Sequence, residues 1–110
     1  MKKLIRHKFN AKPTTFNGRK YASKLEASYA ATLELAKKAG DLLFYLEQVP
    51  LRLPGGVIYR CDFLEFWSPE MGDQGSVVFT EVKGYPTPQG MMKISMAEEI
   101  YGIKINVVKK

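Results

Sequence analysis

Val77-Val78-Phe79-Thr80-Glu81-Val82-Lys83-Gly84, read together with Tyr59-Arg60-Cys61-Asp62-Phe63-Leu64 upstream, decides the fold of this chain. Both are runs of β-forming residues that carry a carboxylate. Side chains alternate along a strand, so Glu81 and Lys83 share one face and hold a carboxylate beside an ammonium at the strand's end. Asp62 and Glu81, on neighbouring strands, offer hard oxygen ligands to a shared cation. Phosphodiester hydrolysis needs such an arrangement, because two anionic species must meet and charge builds on the phosphorus. The backbone carbonyl of Val82, between Glu81 and Lys83, offers a third oxygen. Lys83 can lower the pKa of the attacking water or neutralise the developing charge. The alternative for Glu81 and Lys83 is an exposed cross-strand pair of little energetic worth. Asp62 lies among Cys61, Phe63, Leu64, Phe66 and Trp67, and a carboxylate buried in such company requires a partner or a metal.

The elements around these strands follow from local signals. Phe16-Asn17-Gly18-Arg19-Lys20-Tyr21 predicts a small hairpin turning on Asn-Gly. Ser23-Lys24-Leu25-Glu26 has the spacing of a capping box, and the helix it opens runs to Ala39 with Gly40 as its stop. Leu25, Tyr29, Leu33 and Ala36 form the expected apolar stripe, with Glu26 on its flank, roughly 60° from its centre at ~100° per residue. There Glu26 can join the acids, or it can do no more than satisfy backbone donors at its own helix start. Residues 42–53 read as an extended segment broken at Pro50, Pro54-Gly55-Gly56 as a turn, and 57–67 and 76–83 as two further strands joined by a polar loop. Thr87-Pro88 opens a second helix to about Tyr101, with Met91, Ile94, Ala97 and Tyr101 on one side, and residues 103–108 return as a strand parallel to its predecessor. The expected architecture is α/β, in the order αβββαβ: a mixed four-stranded sheet flanked by two helices. A basic arm over residues 1–13 and the hairpin precede it, and residues 14–110 form a single domain.

Composition limits the chemistry. Cys61 and His7 are the only cysteine and histidine among 110 residues, which rules out an internal disulfide and a thiolate zinc site. Any metal must then be held by oxygen, which favours magnesium, manganese or calcium. Cys61 reads as a packed core residue, since no histidine accompanies it. No apolar run approaches the ~18 residues of a membrane span, and Arg6, His7 and Lys8 interrupt the start where a signal peptide would turn apolar. The expectation is a cytoplasmic protein with no membrane partner. The net charge of +6 is uneven: residues 1–24 carry eight basic side chains and no acid, while residues 25–110 carry nine against all eleven acids. Such an arm suits a polyanion, nucleic acid being the commonest, and its alternative is a solvated tail that aids solubility.

Glu26, Asp62 and Glu81-Val82-Lys83, in that order on αβββαβ, resemble the PD-(D/E)xK nuclease superfamily, with its restriction-endonuclease-like fold. Residues 16–27, then Tyr59-Arg60-Cys61-Asp62-Phe63, then Glu81-Val82-Lys83-Gly84-Tyr85 more closely resemble short phage and prophage members of that superfamily. Those are similar to Holliday-junction resolvases of the phage endonuclease I type and to the end-cutting nuclease subunit of some transposons. Cys61 stands where a proline usually precedes the aspartate; that proline is not a ligand. The resemblance implies a magnesium-dependent endodeoxyribonuclease, with manganese able to substitute, acting on branched DNA such as Holliday junctions in phage recombination or replication, in the host bacterial cytoplasm. It implies Asp62, Glu81 and the Val82 carbonyl as metal ligands, Lys83 as catalytic lysine and Glu26 as the helix-borne acid at the metal. Gln48 takes the place of an accessory polar residue. Arg19, Lys20 and Lys24 around the helix start are candidates for holding DNA phosphates, as is Lys93, whose alternative is a solvated lysine. Paired cuts on a junction call for a homodimer, with Trp67, Phe66 or the hairpin as contact surface. Two other readings stand beside this one: a non-catalytic DNA-binding module whose acids are structural, and a restriction-like, nicking or transposon-end nuclease of the same fold.

Overall fold

The computed structural model describes residues 13–69 and 76–109. The basic arm over residues 1–12 and most of the loop between the strands at 57–67 and 76–83 lie outside them. Two helices and a mixed four-stranded sheet make the domain α/β, with a separate two-stranded hairpin in front. That hairpin pairs β1 (Thr14–Phe16) with β2 (Arg19–Tyr21) through Asn17 at φ 55° and Gly18 at φ 76°. Both values are left-handed, as a two-residue turn between twisted strands demands.

Helix α1 (Lys24–Ala39) begins where the sequence places it. Ser23 Oγ accepts the Glu26 N–H at 3.1 Å, and Gly40, left-handed at φ 87°, ends the helix. Ser23→Ala should cost about 1 kcal/mol, read as a lower urea midpoint with an unchanged slope. The buried stripe is Glu26, Ala27, Ala30 and Leu33, while Leu25, Tyr29 and Ala36 pack at its margin. It is thus rotated from the expected stripe of Leu25, Tyr29, Leu33 and Ala36 toward Glu26 and the two alanines. Glu26, expected on the flank, is carried inward to 7% exposure.

The sheet runs β3 (Leu42–Leu53), β4 (Val57–Trp67), β5 (Ser76–Val82) and β6 (Ile105–Val108), hydrogen-bonded in that order. Its first three strands form an antiparallel meander. The crossover through α2 (Pro88–Tyr101) returns β6 parallel to β5, as expected. Pro50 does not break β3, because β3 is the sheet's edge and a residue without an N–H is tolerated there. The last strand starts later than residue 103 because Ile103 N–H still bonds the Glu98 carbonyl of α2 and Glu98 Oε2 takes the Ile105 N–H.

Two core clusters fill the faces. Tyr21, Ala27, Ala30, Leu33, Leu42, Phe63 and Val82 pack with α1, and Leu53, Tyr59, Cys61, Ile94, Ala97 and Ile105 pack with α2. Phe63 and Cys61 are two residues apart and should share a face, yet they belong to different clusters. So do Tyr45 and Val49 on β3. The ladder pairs Glu47 with Phe63 and Val49 with Cys61 but omits Gln48 and Asp62 between them. Gln48 has φ 53°, a left-handed residue inside a strand. At this one position both strands exchange faces, and the period of two that governs a regular strand fails.

Candidate active site

The exchange coincides with a fork in the sheet. β5 pairs with β4 only from Ser76 to Thr80, whereas it pairs with β6 from Phe79 to Val82. Beyond Thr80, β5 leaves β4. The Val82 N–H then finds its acceptor in a side chain, Asp62 Oδ2 at 2.9 Å. The other carboxylate oxygen, Oδ1, accepts from Gln48 Nε2 at 3.1 Å. The same amide nitrogen reaches Glu26 Oε2 at 3.3 Å. Gln48 therefore links the acid on α1 to the acid on β4.

Both acids are perturbed upward. Burial first, and then the charge of Asp62, push Glu26 to about 7, against a lowering hydrogen bond from the Ala22 backbone. Burial first, and then the charge of Glu81, push Asp62 to about 6, against lowering contributions from Val82 N–H, Gln48 and the Lys83 charge. Glu26 feels Asp62 more than it feels Glu81, so Asp62 is the middle member of the three. Carboxylates crowded in this way, away from water, favour a shared cation or a shared proton.

Glu81 is 4% exposed. Its Oε1 accepts the Tyr59 hydroxyl at 2.6 Å and its Oε2 pairs with Lys83 Nζ at 3.3 Å, so Glu81 and Lys83 do share a face. Burial and then the hydrogen bond to Glu81 hold the Tyr59 hydroxyl far above its ordinary range, so it stays a donor. Tyr59→Phe leaves a buried carboxylate oxygen without this partner and should lower stability by about 1–3 kcal/mol in denaturant unfolding. The side chain of Lys83 passes over the first turn of α2: a Cβ built on Gly90 would stand 3.6 Å from Lys83 Cε and 3.9 Å from Nζ.

Two shallow clefts flank the acids. Arg19, Lys20, Tyr21, Ala22, Glu26, Glu47, Gln48 and Asp62 line one of about 350 Å³. The other, of about 300 Å³, includes Arg60, Glu81, Lys83, Gly90 and Lys93. Of the basic candidates, Arg19, Lys20 and Lys93 thus border the site, while Lys24, at the start of α1, does not line either cleft. Arg19 is tied at 2.9 Å to Glu47, which also accepts the Tyr21 hydroxyl at 2.5 Å, so the hairpin is latched to β3 beside Gln48.

No family model, no curated protein and no solved structure matches this chain. Geometry alone therefore defines the site. Among the described residues, no group of three His, Cys, Asp or Glu side chains is placed to hold a metal ion. A cation here would be held by Asp62 and Glu81 with the Val82 carbonyl, while Glu26 is linked to Asp62 through Gln48. Two residues of the site escape a reading of the sequence. Tyr59 lies three positions before Asp62, and regular alternation would set the two on opposite faces; only the exchange at Asp62 brings it to Glu81. Glu47 is missed because its partners, Tyr21 and Arg19, come from a hairpin whose docking no local signal specifies. One further buried acid, Glu65, accepts from Tyr29 Oη at 2.6 Å and Trp67 Nε1 at 3.0 Å and secures α1 to β4.

Proposed function

We propose that this chain is a magnesium-dependent endodeoxyribonuclease with a restriction-endonuclease-like core, hydrolysing phosphodiesters in branched DNA. One observation carries the reading: Glu26 from a helix and Asp62 and Glu81 from two diverging strands are electrostatically coupled, with Lys83 beside Glu81. A structural role alone would not gather three acids whose like charges repel, since each then costs stability. Asp62, Glu81 and the Val82 carbonyl are oxygen donors of the kind a hard divalent ion takes, and Glu26 would hold water or a second ion. Such an ion, when bound, withdraws charge from the phosphate and makes the attacking water more acidic.

The chain's own residues supply the rest. Lys83, held by Glu81, presents its ammonium to the charge that develops on the phosphate oxygens. Glu26, linked to Asp62 through Gln48, can orient the attacking water by hydrogen bonding. Arg19 and Lys20 on one side, and Lys93 on the other, hold the flanking phosphates, which position the strand without reading its sequence. The basic arm, outside the described residues, adds a long-range attraction that falls with salt. Among the described residues no helix is long and apolar enough to cross a membrane. A homodimer making paired cuts would have Phe66 available for contact; it stacks on the exposed Phe44 at a centroid distance of 4.3 Å. Trp67, by contrast, is engaged with Glu65.

The test is cleavage of four-way junctions, nicked duplex and linear duplex by the purified protein with magnesium, beside Glu81→Ala. The junction should be cut fastest, and Glu81→Ala should cut none of them. If every DNA form survives the parent protein, or if Glu81→Ala cuts as well as the parent, the acids are structural and the chain is a DNA-binding module at most.

A further inference from the structure

Gln48 is the one residue inside the four-stranded sheet, among the described residues, that is not glycine and has a positive φ. Glutamine gains nothing from that conformation. A side chain in the left-handed region is strained by comparison with glycine or with a regular strand. Gly55 and Gly56 in the nearby turn show that the chain uses glycine where a left-handed backbone is all that is needed. At Gln48 the strain is accompanied by three other observations. The ladder between β3 and β4 is interrupted there, the two strands exchange faces there, and the amide Nε2 spans Glu26 Oε2 and Asp62 Oδ1. A regular strand would still set Gln48 opposite Asp62, but on the face away from Tyr45 and Phe63, which pack with α1, and so away from Glu26.

We infer that Gln48 is a positioning residue, whose strained backbone is retained so that one neutral amide can hold Glu26 against Asp62 and preset the spacing of the acids for a divalent cation. The inference rests on the metal site of the proposed function and adds to it a residue that need not touch the substrate. An amide is suited to this role because it donates to both acids without adding charge, whereas a lysine there would repel the incoming cation and a glutamate would increase the crowding. Latching by Arg19 and Tyr21 through Glu47 fixes the residue immediately before it, so the hairpin supports the same geometry.

Gln48→Gly separates support of the fold from support of the site. Glycine accepts the left-handed backbone without strain but removes the amide. Manganese binding to the metal-free parent and variant is measured by calorimetry without DNA, alongside thermal unfolding and junction cleavage. The expected result is a melting temperature equal to or above the parent's, with manganese affinity reduced roughly 10–100-fold, the range seen when groups that orient metal ligands are removed. If the parent binds manganese and the variant binds it weakly while neither cuts DNA, the nuclease reading falls and the role of Gln48 stands. Should the variant bind manganese as tightly as the parent, the role is overturned even if both cut DNA. A melting temperature well below the parent's also overturns it, since Gln48 would then be a structural support, and a parent that binds no manganese overturns both readings together.

Discussion

Asp62→Asn should abolish DNA cleavage and raise the melting temperature in the same variant. The carboxamide keeps an oxygen that can accept the Val82 N–H where β5 leaves β4, so the fork keeps its hydrogen bond. Gln48 can rotate its amide to accept from the new NH₂, which keeps that contact but gives up the Nε2 bond to Glu26 Oε2. The larger loss is the charge. Burial and the neighbouring Glu81 charge raise Asp62 to about 6 from 3.8, and the ionised form is correspondingly costly in the folded protein. Removing it should stabilise the fold by roughly 1–2 kcal/mol at pH 8 once solvent screening is allowed for, a shift of about 4–8 °C per kcal/mol for a domain near this size. Cleavage should fall on the order of 10³-fold or more, because a neutral amide is a poor ligand for magnesium and the phosphate would meet no cation. Melting curves and junction cleavage on one preparation check both halves. A variant that is less stable than the parent, or still active, would contradict the placement of Asp62 at the centre of the acids.

A second large effect is expected from pH and metal together. Glu26 and Asp62 have folded-state pKa values above their ordinary ones, about 7 and about 6. Between roughly pH 4 and 7 the folded protein therefore binds more protons than the unfolded chain, and stability falls as pH rises. The stability these groups contribute is fully present below their unfolded pKa values and is lost as pH passes through 6 and 7. A divalent cation competes for the ionised acids, so its effect runs the other way. Magnesium or manganese should raise the melting temperature strongly at pH 8 and very little at pH 5. At a hundredfold excess over the dissociation constant the gain is about 2.7 kcal/mol. In Asp62→Asn the metal-dependent gain should vanish, and differential scanning fluorimetry across pH, with and without metal, reads all of this directly. An equal effect of the cation at both pH values would place its binding elsewhere.

Most of the architecture is legible in the sequence, for reasons visible at particular residues. Asn17-Gly18 determines a turn, Ser23 and Gly40 bound a helix, and Thr87-Pro88 opens another, because each has a backbone requirement that few residue types meet. The strand carrying Glu81 and Lys83 obeys simple alternation, so their pairing is also predictable. Asp62 and Gln48 are different. The register sets them opposite each other, but their meeting with Glu26 depends on a face exchange at a left-handed glutamine, and glutamine carries no signal for such a backbone. The depth of Glu26 escapes hydrophobic periodicity, which weighs leucine and tyrosine above alanine, whereas the buried face of α1 includes Ala27 and Ala30. Pro50 reads as an interruption in sequence because edge and interior strands cannot be told apart before the strand order is known.

The exchange of faces also bears on motion. Residues before Gln48 and after Asp62 belong to the core under α1, and those between them to the core under α2, so the β3–β4 ribbon passes from one packed body to the other at the acids themselves. A ribbon with an interrupted ladder bends most easily where it is interrupted. Any rocking of the α2 body against the α1 body would then pivot at Gln48 and Asp62, changing the separation of Glu26 from Glu81 while each core remains intact. Amide exchange at residues 47–49 and 61–63, compared with and without a divalent ion, would show a hinge that closes when the acids share a charge.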